Sequence, residues 1–259
     1  MCLIVFAHKA EPRFPLLVAA NRDEFFSRPT LQAAFWQSEV NKQTILAGKD
    51  LLAGGTWLGL SKAGRFSAVT NIRDPSQAEP AARSRGELPI NFLRGTKSVE
   101  DYANSLSENF NHYAGFNLLL GDSEDMFYVN NLENLVTKLE PGVYGLSNSL
   151  LNSDWPKVNR GREGLKSLLN NGDSLTTDQL IKMMNHREIY SDENLPSTGV
   201  SFEIEQALSS TFIMHTDRGY GTLCSTAIIG REDGEFRFSE QNYDNSGEAT
   251  SRNYYQFLK

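Results

Sequence analysis

The first residue that could do chemistry is Cys2, which follows Met1 and precedes the apolar run Leu3–Phe6. That run predicts a buried strand, which would hold the cysteine rigidly at its start. Methionine aminopeptidases remove Met1 before a small residue, and the mature chain would then carry a thiol and a free α-amine on one residue. The amine, with an intrinsic pKa of about 7.7–8.0, can act as general base for the thiol. The alternative is that Cys2 is a small buried apolar residue.

A polar run, Asn21–Glu24, follows directly on a second apolar strand predicted at Leu16–Ala20. Because a short loop joins the two strands, they would pair antiparallel, and the end of the second would lie beside the start of the first. We therefore expect the polar run to lie close to Cys2 and to bond within itself or to a ligand. A charged turn with a structural Arg–Asp pair is the alternative.

Three predicted strands end in an asparagine, namely Asn21, Asn71 and Asn148. An asparagine amide donates hydrogen bonds without carrying charge, which suits the stabilisation of an oxyanion. Asparagine is also a common turn residue, so the pattern indicates such a role without fixing it.

Two further stretches indicate ligand binding. The glycines of Gly54–Leu60 allow close backbone approach, either to a ligand or to another strand. Arg83 and Arg85 precede a helix predicted to end at Arg94, where they would bind a carboxylate or phosphate, or else form a solvated basic patch. The candidate ligand contacts are Asn21, Arg22, Glu24, Trp57 and Arg85.

Composition narrows the function classes. The 259 residues suffice for one large domain or two small ones, and the net charge of −7 argues against a generic nucleic-acid binder. Two cysteines, Cys2 and Cys224, provide neither a disulfide framework nor a cysteine metal cluster. The four histidines are scattered and expected at the surface, although any could bind a metal or haem. With no apparent secretory signal or transmembrane run, we expect a cytoplasmic protein.

The order of elements is strands, then helices, then strands, which favours a layered α+β sandwich over a parallel α/β sheet. Helices are predicted at 99–109, 155–169 and 175–186. Edge strands are predicted at 33–36 and 45–49, and the segments 135–139 and 142–146 are expected to continue one sheet.

The chain resembles the NRDE family, also called the transport and Golgi organisation protein 2 family, over nearly its whole length. The motifs that carry the resemblance are Met1-Cys2, Ala19–Phe25, Ser27–Pro29, Gly54–Gly59, Ala68–Asn71, Arg85–Leu88, Gly115–Leu118, Tyr144–Asn148 and Tyr220–Thr222. Family members usually carry an arginine after the last motif, where this chain has Leu223.

More distantly, the pattern is similar to N-terminal-nucleophile hydrolases of the choloylglycine hydrolase and penicillin acylase type. This resemblance implies an α+β fold, a four-layer αββα sandwich, formed by residues 1–259 as a single domain. Cys2 would match the nucleophile, Asp23 the aspartate that orients its amine, and Asn71 and Asn148 the oxyanion donors. The chain departs from the hydrolases at Ala20, where they carry an arginine, and their distal arginine has no sure counterpart.

The family resemblance implies intracellular haem trafficking, with a role for some members in lipid or acyl-CoA homeostasis. We therefore expect haem as cargo through an unknown ligand, with no metal site and no other cofactor. The expected partner is haem or another apolar carboxylate, and transient contact with a membrane or a haem protein stays open. The alternatives are an amidohydrolase or thioesterase with Cys2 as nucleophile, and a non-catalytic interaction protein.

Overall fold

We describe a computed structural model of the chain over residues 2–37, 43–76, 81–170 and 175–259. The chain divides into two compact units. The first comprises residues 1–27 and 141–257, and the second comprises residues 28–140 and 258–259. Each unit contains one antiparallel sheet with helices packed on it.

The strands, in chain order, are β1 (Cys2–Glu11), β2 (Phe14–Phe25), β3 (Thr30–Gln37), β4 (Thr44–Asp50), β5 (Leu58–Ser61), β6 (Phe66–Asn71), β7 (Phe116–Gly121), β8 (Met126–Asn130), β9 (Leu135–Lys138), β10 (Gly142–Leu146), β11 (Met214–His215), β12 (Tyr220–Gly230), β13 (Glu235–Tyr243) and β14 (Ala249–Leu258). The α-helices are α1 (Glu87–Arg94), α2 (Val99–Ser105), α3 (Pro156–Asn170), α4 (Thr177–Met183) and α5 (Phe202–Ala207). Short 3-10 helices lie at Ser107–His112, Asp192–Asn194 and Thr216–Arg218.

The sheet of the first unit has the order β10-β1-β2-β12-β13-β14, with β11 paired to β12. Side chains alternate between its faces, so Leu3, Val5 and Ala7 share one face and pack with α3 and α4 in a continuous apolar core. Gly161 lets α3 approach this face closely, because a Cβ there would lie 2.5 Å from a Val5 methyl carbon.

The sheet of the second unit runs in chain order from β3 to β9, each strand pairing with the next. Short loops join most of these strands and favour antiparallel neighbours, whereas β6 and β7 pair across a longer connection that contains α1 and α2. Its core lies between the sheet and the helices α1 and α2, around side chains such as Phe92, Phe116 and Leu118.

Several sequence expectations need correction. The strand β4 is an interior strand and not an edge strand, because it pairs with β3 on one side and with β5 on the other. The segments that form β9 and β10 belong to different sheets, since the chain passes from the second unit to the first between them. The helix expected at 99–109 ends at Ser105, where a 3-10 helix takes over. His8 is 4% exposed within β1, so the expectation of a surface histidine was wrong there.

Candidate functional site

The antiparallel register of β1 and β2 builds the centre of the site. Cys2 lies opposite Arg22, and Leu3 lies opposite Asn21. The strand β12 then pairs with the other edge of β2, with Cys224 opposite Arg22 and Thr222 opposite Asp23. The expectation that the polar run at the end of β2 lies beside Cys2 is therefore confirmed.

Cys2 as a whole residue is partly exposed, while its thiol group is buried. Burial raises its pKa, and the neighbouring Asp23 carboxylate raises it further, while a hydrogen bond from the Asp23 backbone and the charge of Arg22 lower it. The balance is a raised pKa, so the thiol is protonated at neutral pH. A nucleophilic role would then need a base that removes the thiol proton.

Asp23 is 1% exposed, and burial raises the pKa of its carboxyl group. The groups that oppose that shift include the charge of Lys157 and the Thr222 hydroxyl, which donates to Asp23 Oδ1 at 2.7 Å. Lys157 lies in the first turn of α3, is 2% exposed, and donates from Nζ to the Leu208 carbonyl oxygen at 2.8 Å. A buried carboxyl group with a cation and a hydroxyl at hand is typical of an active site.

The segment that follows β10 completes the surroundings of Cys2. The β1–β10 register pairs Ile4 with Leu146, so the next residues of the chain run toward Cys2. The Ser147 hydroxyl donates to the Cys2 carbonyl oxygen at 3.0 Å and lies 3.3 Å from Asn148 Oδ1. Asn148 is fully buried. The structure thus brings three predicted residues together in one unit: Cys2, Asp23 and Asn148.

Asn21 has its amide engaged inside the unit. Its Nδ2 donates to the carbonyl oxygens of Met184 at 2.9 Å and Thr211 at 2.8 Å, and its Oδ1 accepts from the Ser225 hydroxyl. This bonding ties β2 to the end of α4, which is a positioning role. Glu24 is half-buried at the end of β2 and accepts from the Phe25 backbone.

The remaining predicted residues lie in the second unit. Asn71 ends β6 opposite Phe116. Trp57 precedes β5 and fills the space beside Gly48, where a Cβ would lie 2.2 Å from the indole ring. Arg85 donates to the Gly115 carbonyl oxygen at 3.1 Å. The ligand and oxyanion roles assigned to these three residues stay predictions.

Sequence reasoning missed four neighbours of the site: Ser147, Lys157, Thr222 and Cys224. Ser147 and Thr222 stand inside recognised motifs, so a search for hydroxyl partners of Asp23 and Cys2 could have found them. Lys157 offered one signal, a lysine directly before the apolar stripe of α3. The Cys224 thiol donates to Glu240, and burial raises its pKa well above the usual value.

Two general features of the described residues bear on function. Within 2–37, 43–76, 81–170 and 175–259, no group of three His, Cys, Asp or Glu side chains is placed to hold a metal ion. Across the same ranges, no helix has both the length and the apolar character needed to cross a membrane.

Solved structures with the same fold are hydrolases. A variant of the conjugated bile acid hydrolase from Clostridium perfringens superposes with a TM-score of 0.56 at 11% identity, covering 100% of this chain and 92% of that one. The Caenorhabditis elegans ortholog of N-acylethanolamine-hydrolyzing acid amidase superposes with a TM-score of 0.53 at 8% identity, covering 88% and 92%. These similarities confirm an α+β fold of the N-terminal-nucleophile hydrolase type.

Sequence relatives are much more similar. The Transport and Golgi organization 2 homolog of Mus musculus is 34% identical over 99% of both chains, and the Homo sapiens homolog is 35% identical over 93% of both. The family model described as Transport and Golgi organisation 2 matches residues 1–245. On both grounds, this chain belongs to the Transport and Golgi organisation 2 family.

Proposed function

We propose that the chain is a cysteine amidohydrolase of the N-terminal-nucleophile type, acting on an amide or thioester of a large apolar acyl group. The observation that carries this proposal is the β1–β2–β12 register, which sets Arg22 and Asp23 beside the Cys2 thiol. This reverses the order in which the sequence ranked hydrolysis and haem handling, because the register that brings Asp23 to Cys2 supports the hydrolytic role more directly.

Activation of the thiol requires removal of Met1. The α-amine of Cys2, with a pKa of about 7.7–8.0, would then accept the thiol proton on the same residue. Asp23, the next residue after the cross-strand partner of Cys2, would orient the resulting ammonium. Its bond from Thr222 and the charge of Lys157 favour the ionised form that this role needs.

The reaction follows from these groups. The thiolate sulfur attacks the carbonyl carbon, and the carbonyl electron pair moves to oxygen, where amide N–H groups such as that of Asn148 would hold the oxyanion. Collapse breaks the C–N bond, and the leaving amine takes the proton from the α-ammonium. Water then hydrolyses the thioester on Cys2 by the same proton path, releasing the acid and restoring the thiol.

The substrate class is inferred from the fold neighbours. Their names describe hydrolysis of conjugated bile acids and of N-acylethanolamines. We carry over only the class of bond and the apolar acyl group, and we use decanoyl p-nitroanilide as a probe that releases a coloured amine.

The two cysteines provide a matched test. We expect Cys2→Ala to lower kcat/KM for the probe by at least about 10³-fold, the loss typical of a removed nucleophile. Cys224→Ala, which also deletes one thiol, should retain turnover within a fewfold of the parent chain. Equal turnover by the parent and Cys2→Ala proteins would refute the proposal.

Haem handling is the second candidate, carried from the family resemblance. The observation that favours it is the position of Cys2 opposite Arg22, since a thiolate can ligate haem iron and a guanidinium can pair with a propionate. A cytoplasmic location, which keeps thiols reduced, would suit either activity. Titration of haem in the Soret band should give a saturable shift that Cys2→Ala removes and Cys224→Ala keeps; an unchanged spectrum would contradict this candidate.

A further inference from the structure

A cleft of about 430 Å³ opens in the first unit between α3, the end of α4 and Thr211. Its walls carry two cations, Arg160 from α3 and Lys182 from α4, and one carboxylate, Glu163. Both cations are exposed, and neither has a carboxylate within 4 Å among the residues that the structure describes. The cleft therefore has an excess of unpaired positive charge.

The floor of the cleft contains two buried polar atoms that lack a hydrogen-bond partner in the described structure. One is Thr211 Oγ1, on a residue that is 2% exposed. The other is Nδ1 of His186, whose Nε2 lies 3.2 Å from a Glu188 oxygen. Leaving such a group unsatisfied costs about 1–3 kcal/mol, so buried polar atoms without a partner call for an explanation. A deeply seated ligand with acceptor oxygens for the Thr211 hydroxyl and a hydroxyl donor for the imidazole nitrogen would supply the missing partners.

The segments that carry these atoms are held firmly in place. The backbone of Phe212 donates to the His186 carbonyl oxygen at 2.8 Å. The carbonyl oxygens of Met184 and Thr211 both accept from Asn21 Nδ2. The cleft is thus a preformed feature whose walls are cross-linked by hydrogen bonds, as binding sites commonly are.

We propose that this cleft binds a small organic phosphate, with the phosphate group bonded by Arg160 and Lys182. A phosphate monoester carries a charge of about −1.5 to −2 and three acceptor oxygens, which matches two cations together with neutral donors such as Asn185 and Thr211. A carboxylate offers only one charge and two oxygens, and would leave part of this donor set unused.

Room for the organic part lies next to the phosphate position. A second cleft of about 570 Å³ shares Arg160 and Glu163 with the first, and continues along α3. Its lining combines the apolar and aromatic surface of Tyr190, Leu195 and Pro196 with the carboxylates of Asp154 and Glu193, which can accept hydrogen bonds from hydroxyl groups of the organic part. Arg160 lines both clefts, so the arginine stands where the two clefts meet.

The test is calorimetric titration of the full chain with glycerol 3-phosphate, with acetate as the carboxylate comparison. We expect saturable one-to-one binding of the phosphate, weakened roughly tenfold by Arg160→Gln and by Lys182→Gln, the loss expected for one charge-assisted hydrogen bond. Lys166→Gln is the matched control, because Lys166 is an exposed cation of α3 outside both clefts. It should change the affinity less than twofold.

Thr211→Val adds a test of the buried hydroxyl. This change removes an unsatisfied polar atom, so the thermal midpoint should not fall, while the phosphate should bind more weakly. The proposal is overturned if millimolar glycerol 3-phosphate gives no saturable heat, if acetate binds as tightly, or if Lys166→Gln weakens binding as much as the two cleft variants.

Discussion

Each sheet carries a row of three polar residues in direct register across adjacent strands. In the second unit the row is Thr70, Asn117 and Asn130; in the first it is Cys2, Arg22 and Cys224. The row in the second unit is neutral and its members are hydrogen-bonded to one another. Asn117 donates to Thr70 Oγ1 at 3.1 Å, and its Oδ1 accepts from Asn130 Nδ2 at 2.8 Å. The hydroxyl of Tyr128 joins the same network at 2.7 Å.

The row that contains Cys2 differs in charge and in proton affinity. It holds a guanidinium between two thiols, both with a raised pKa, and next to it lies the buried Asp23 carboxyl group. A neutral network whose members satisfy one another serves to fix a fold. Buried ionisable groups with shifted pKa values are costly to a fold, and they cluster where proteins do chemistry. The contrast supports placing the proposed activity in the first unit.

The largest expected effect is on turnover of the decanoyl probe, and it comes from replacing Asp23. Asp23→Asn keeps the shape of the side chain and removes its charge, so the ammonium of Cys2 would lose its orienting partner. We expect kcat for the decanoyl probe to fall on the order of 10²–10⁴-fold, with a smaller change in KM, and the pH profile to shift. Asp217→Asn, an exposed change in the same unit, should leave all three unaltered.

Asn117→Ala should damage the fold. The change removes the hydrogen bonds that Asn117 makes with the Tyr128 hydroxyl, the Asn130 amide and the Thr70 hydroxyl, all on buried residues. We expect the free energy of unfolding to drop by about 2–4 kcal/mol in urea titration. Asn104→Ala, on the exposed side of α2, should stay within about 0.5 kcal/mol of the parent. A comparable loss of unfolding free energy in both variants would contradict the structural role proposed for the network.

The smallest effect is on the pH dependence of stability. Because the pKa of Asp23 is raised in the folded state, the folded chain holds a proton that the unfolded chain has released, at pH values between the ordinary and the raised pKa. Stability then falls as pH rises through that window, by at most about 1.4 kcal/mol per pH unit. The stability of Asp23→Asn relative to the parent should therefore increase from acid to neutral pH. A difference independent of pH would show that Asp23 has an ordinary pKa.

Much of this arrangement is predictable from sequence, and the reasons are local. The apolar runs of β1 and β2 and the short loop between them predicted the pairing that brings Asp23 to Cys2. Local patterns could not tell that β9 and β10 belong to different sheets, because pairing partners far apart in sequence leave no periodic signal.

The polar partners were harder to predict than the strands. Thr222 bonds to Asp23 from almost two hundred residues away in the sequence. A register shift at Leu223 decides which residues of β12 lie opposite those of β2. The sequence marks Lys157 only as a lysine before the apolar positions of α3, although its ammonium group is buried against the Leu208 carbonyl oxygen. Such contacts depend on tertiary packing, which overrides what residue type alone suggests.

The most direct test of the central claim is the mass of the protein after a brief reaction with decanoyl p-nitroanilide, followed by peptide mapping. We predict that the active protein lacks Met1 and carries one decanoyl group as a thioester on Cys2, labile to hydroxylamine. An active protein that retains Met1, or one that carries the acyl group on Cys224 or another residue, would contradict the assignment of Cys2 as the nucleophile.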